Sequence, residues 1–88
     1  MKQEQILDEL IGLLEAHNVI IRREPMGGSG GGLCTVRGEK ILFLDAQAQT
    51  AELASVCAEA VMQTIDIEQI YIRPEVRRFI ENHRGQTA

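Results

Sequence analysis

Met26-Gly-Gly-Ser-Gly-Gly-Gly-Leu-Cys34 is the stretch whose reading decides the fold. Five of the six residues 27–32 are glycine, so the segment packs almost no side chains of its own. Glycine also loses the most backbone freedom on ordering. In a chain of 88 residues such a run either stays mobile or brings backbone close to something else.

The flanks on both sides read as strands. Val19 to Glu24 is rich in β-branched residues, and Pro25 favours an extended conformation at Glu24. Leu33 to Arg37 and Lys40 to Leu44 predict a hairpin around Gly38-Glu39. Together these segments predict a three-stranded antiparallel meander, with the glycine run joining its first two strands.

Helical periodicity lies further out. Ile6, Leu10 and Leu14, with Leu7 and Ile11, form one apolar stripe over residues 3–17, and Glu4, Asp8, Glu9 and Glu15 lie mostly off it. Asn18 tolerates the left-handed conformation that ends a helix. Thr50 is a candidate cap for a helix running to Thr64, with Leu53, Val56, Cys57, Ala60 and Val61 on one face. Gln69 to Ile72 suggests a short strand, and Pro74 opens a last helix to about His83. The expected fold class is therefore α+β: an N-terminal helix, the meander, and two C-terminal helices on one sheet face. A single domain is expected over residues 1–84, with 85–88 as a frayed tail.

Composition excludes several function classes. A net charge of −4 disfavours generic attraction to nucleic-acid backbones, and Phe43, Tyr71 and Phe79 are the only aromatic residues available for base stacking. Cys34 and Cys57 are too few and too far apart for a disulfide scaffold or a Cys-x-x-Cys site, which suits a reducing cytoplasm. No apolar run approaches the ~20 residues of a membrane span, so no membrane or nucleic-acid partner is expected. His17 and His83 lack the neighbours that a zinc site needs, and neither a metal nor another cofactor is implied. Cys34 has no base placed by the sequence to activate it, so no catalytic residue is assigned.

The glycine run fits neither common phosphate motif. A Walker loop requires lysine and a helix after the glycines, whereas Leu33-Cys34-Thr35-Val36 is strand sequence. Leu33 also stands where the dinucleotide fingerprint needs its third glycine. A looser nest of backbone N–H groups remains open as a reading. Its anion site would comprise Gly27, Gly28, Ser29, Gly30, Gly31 and Gly32, with Arg22 or Arg37 supplying charge.

Residues 38–44, a short connection and residues 53–63 resemble the strand-to-helix core of the ImmA/IrrE-like zinc metallopeptidases. That resemblance implies a helix bearing His-Glu-x-x-His, and Ala58-Glu59-Ala60-Val61-Met62 stands in its place. Glu59 matches the general base, but alanine and methionine occupy both ligand positions, so the resemblance implies a non-catalytic remnant. The chain also resembles a family of small uncharacterised bacterial proteins through Gly-Gly-x-Gly-Gly-Gly-Leu-Cys, Ile-Leu-Phe-Leu-Asp and Ile-Tyr-Ile-x-Pro-Glu-Val-Arg. This second resemblance implies a bacterial cytosolic origin and no particular chemistry.

Arg73, Arg77, Arg78 and Arg84 make the C-terminal helix basic, while the first helix is acidic. The complementarity suggests docking between two copies, or onto an unknown protein partner. The leading expectation is a non-enzymatic interaction or regulatory module that forms a homodimer. Its contact surface would be the glycine loop, Arg77 and Arg78, with Leu33 or Tyr71 as apolar anchors. The alternative is a small-ligand or anion binder using loop 27–32.

Overall fold

A computed structural model describes residues 1–28 and 30–86, with side chains placed to residue 83. The order is α1 (Gln3–Ala16), β1 (Val19–Glu24), β2 (Gly31–Val36), β3 (Glu39–Asp45), α2 (Thr50–Thr64), a 3-10 turn at Ile67–Gln69, and α3 (Pro74–Gln86). The α+β class is as expected. Of the predicted tail, residues 85 and 86 fall in α3, and 87–88 lie outside the described residues.

The strand arrangement corrects the meander. The spatial order is β1-β3-β2, with β1 parallel to β3 and β2 antiparallel to it. The glycine segment therefore does not turn a hairpin between adjacent strands. It carries the chain past the C-terminal end of β3 to the far edge of the sheet. The real hairpin is β2–β3, turned by Arg37 and Gly38 rather than Gly38-Glu39. Their φ values of 53° and 82° supply the two positive angles that a two-residue hairpin of right-handed twist requires.

Strand alternation gives the sheet two different faces. Ile21 aligns with Leu42, which aligns with Leu33, on the side that meets the helices. Leu42 and Leu44 are fully buried there. That side is covered by α1 and α2, not by α2 and α3 as expected; α3 packs against those two helices. Leu7, Leu10 and Leu14 of α1 meet Ala54, Cys57, Ala58 and Val61 of α2 in one core, closed by Val76 and Ile80 of α3. The small side chains of α2 allow it to lie close to its neighbours.

Local chemistry explains the element ends. Asn18, at φ 67°, takes the left-handed turn after α1. Gln49, not Thr50, is the N-cap of α2, and it makes no side-chain capping bond. The expected strand at 69–72 does not form: a 3-10 turn ends at Gln69 and residues 70–72 are irregular, and the Asp66 carboxylate that caps the turn accepts the Glu68 N–H at 3.1 Å. Ile65, Ile67 and Ile72 bury themselves along this connection, so its apolar spacing reflects anchoring to the core rather than strand pairing.

Candidate functional site: the strand crossover and the uncovered sheet face

The crossover is organised by Asp45, the last residue of β3. Its alternation points away from the helices, yet the loop covers it completely. Asp45 Oδ1 accepts the N–H groups of Met26 and Gln47, each at 2.9 Å. Burial pushes this carboxyl up, but the backbone N–H groups of Gln47, Met26, Gly28 and Gly30 outweigh it and hold the group below its ordinary value. Further bonds fasten both ends of the crossing. Gly27 N–H donates to Gln47 Oε1 at 3.0 Å, Ala46 N–H to the Glu24 carbonyl at 3.0 Å, and Asp45 N–H to the Gly30 carbonyl at 3.2 Å.

Gly31 shows why glycine is needed where the loop enters β2. Its φ is +117°, and an added Cβ would overlap the Phe43 backbone carbonyl. Gly31 is the one of the described glycines in this segment whose lack of a side chain permits close approach to the β3 backbone.

Not all of the predicted ligand residues come together. Gly27 and Gly28 are exposed, Gly30 is buried, and Gly31 and Gly32 belong to β2; Ser29 lies outside the described residues. Arg22 lies on the outer sheet face, 2.9 Å from Glu24 and with its guanidinium 6.0 Å from the Phe43 ring centroid. Arg37 sits in the β2–β3 turn, at the other end of β2 from the loop, so it does not join the glycine cluster.

The predicted contact residues also separate. Leu33 lines a groove of roughly 230 Å³ with Gly31, Gly32, Val56 and Glu59. Tyr71, 83% exposed, lines a different hollow of roughly 290 Å³ with Gly12, Leu13 and Arg73. Arg77 is tied within the chain: Nη1 donates to the Ile67 carbonyl at 3.0 Å and Nη2 lies 3.0 Å from Glu68. Arg78 is exposed.

Sequence patterning missed two features. One is Asp45, whose only signal was an acidic residue ending an apolar strand. The other is the outer sheet face, where Ile20, Ile41 and Cys34 align in one row and Arg22, Phe43 and Gly32 in the next. Ile20 and Val36 are 41% and 47% exposed, Cys34 is exposed, and Ile41 and Phe43 are half-buried.

The two thiols differ sharply. Burial pushes Cys57 up to about 12, with Arg23 pulling weakly the other way, whereas Cys34 is open to solvent. Among the described residues no three His, Cys, Asp or Glu side chains gather to hold a metal, and no helix is long and apolar enough to cross a membrane. Of the positions that the metallopeptidase resemblance assigns to zinc ligands, Ala58 is buried in the core and Met62 is half-buried on α2. No protein-family model, curated protein or solved structure matches the chain.

Proposed function

We propose that this chain is a non-enzymatic protein-interaction module of the bacterial cytoplasm that associates with itself. The observation that carries this reading is the uncovered sheet. Helices shield one face, while the other presents Ile20, Ile41, Phe43, Cys34 and Val36, with the charges of Arg22, Glu24 and Glu39 set among them. Apolar side chains grouped on an open sheet face are a common mark of a contact surface.

Against the anion-binding alternative stands Asp45. The carboxylate already occupies the centre of the loop's N–H groups, and a second anion there would meet its charge.

Sedimentation equilibrium combined with native mass spectrometry tests the reading. A concentration-dependent dimer with no retained small molecule supports it. A strictly monomeric chain that carries a small-molecule mass overturns it in favour of the ligand binder.

A further inference from the structure

The interaction reading does not by itself say which part of the open sheet meets the second copy, but the edge of β2 does. β2 is the outer strand beside β3, and Gly31-Gly-Leu-Cys-Thr-Val36 carries neither charge nor proline. Natural edges are commonly blunted by charges, proline or a bulge. The opposite edge, β1, is so protected: it holds Arg22, Arg23 and Glu24 and runs into Pro25. Because the Asp45 N–H donates to Gly30, ladder alternation assigns Gly32, Cys34 and Val36 to bonds with β3. Leu33 and Thr35 then turn their N–H and C=O groups to the open edge.

Two unpaired charges flank that edge. Glu59 of α2 lines the groove beside Gly31, Gly32 and Leu33, and Arg37 follows the other end of the strand. Neither has an ion-pair partner among the described residues.

We infer that β2 pairs antiparallel with β2 of a second copy, about a two-fold axis beside Cys34, to make one six-stranded sheet; this rests on the interaction reading above. Leu33 of one copy then faces Thr35 of the other, and their outward backbone groups bond to each other. Arg37 of the second copy comes opposite Gly31, beside Glu59, so each copy supplies the charge the other lacks. Val36 of the second copy stands next to Gly32, whose missing side chain leaves the Phe43 ring open to it. The axis is perpendicular to the sheet, so both sets of helices remain on one side.

Sedimentation velocity over a concentration series tests this with Arg37→Glu, Glu59→Arg, the double reversal and Thr35→Pro. Each single reversal is expected to weaken the dimer about tenfold, and the double reversal to restore it. Thr35→Pro, at an edge position that tolerates proline, removes the dimer while the circular dichroism stays unchanged. Diamide is expected to oxidise the two facing Cys34 thiols to a disulfide in the wild type, and Cys34→Ser to yield no cross-linked species.

A dimer indifferent to all four variants overturns the edge assignment and leaves self-association standing. A wild type that is monomeric at every concentration overturns both. A monomer whose Leu33 and Thr35 amides are protected only when an extended Val-Thr-Val-Arg peptide is added gives the edge to a foreign strand and also overturns self-pairing.

Discussion

The Asp45 carboxylate accepts the Met26 N–H at 2.9 Å, so the end of the central strand holds the segment that passes over it. The same oxygen takes the Gln47 N–H, so one side chain orders the chain on both sides of β3. Replacing it with alanine leaves these donors facing a hole, and Asp45→Ala is expected to lower the thermal midpoint markedly. Asp45→Asn keeps the shape and is expected to lose less. Thermal unfolding of the three proteins side by side checks the order.

Asp45 also carries an acid dependence. Its folded pKa lies below the unfolded value of 3.8, so its contribution is full above that value and is lost as pH falls through the folded pKa. Glu75, bonded to the Met1 ammonium at 2.9 Å, is lowered too, so the wild type alone does not isolate the effect. Urea midpoints of wild type and Asp45→Asn, followed from about pH 5 to about pH 2, are expected to converge as Asp45 is protonated. Parallel curves would contradict this.

Gly31 and Gly32 are neighbours with opposite tolerance. Gly31→Ala combines a positive φ with a backbone overlap at Phe43 and is expected to cost on the order of 3 kcal/mol or more, measured by urea unfolding. Gly32 has open space where a Cβ would go and no positive φ. Gly32→Ala is expected to stay within about 1 kcal/mol of wild type.

Arg77 and Arg78 separate in the same way. Arg77→Ala removes the tie from α3 to the Ile67 carbonyl and Glu68, and about 1–2 kcal/mol of unfolding free energy is expected to go with it. Arg78→Ala, on the exposed side of the helix, is expected to change stability by less than about 0.5 kcal/mol.

Thiol titration gives a further check. In the native protein one equivalent is expected to react promptly with a disulfide reagent, and mass mapping should place it on Cys34. Cys57, buried and held protonated, is expected to react only as fast as the protein unfolds.

The helices and strand segments were legible because their apolar spacing follows directly from backbone geometry. The pairing of β1 was not. Val19, Ile21 and Leu42 alternate identically whether their strands run parallel or antiparallel, and a six-residue connection suits either a turn or a short crossing. What decides between them is long-range: an aspartate nineteen positions beyond Met26 that gathers the loop's N–H groups. The stretch from Gln69 to Ile72 misled in the other direction, because burial of Ile72 against the core and strand alternation leave the same trace at short range. Of the candidate site, the glycine cluster was visible at once, whereas the outer sheet row existed only after the strand order was known.

The strand order has a kinetic meaning. β2 and β3 are joined by a two-residue turn already suited to their twist, so their ribbon closes a very short loop. β1 pairs with β3 only after the glycine segment and the entire ribbon have been placed, which makes it the entropically expensive, late contact. Mutations at the Arg37-Gly38 turn should therefore slow folding, while those at the Asp45 crossing should chiefly speed unfolding. The glycine segment acts as the final fastening of the sheet, and its fate governs how long a folded molecule lasts more than how quickly one forms.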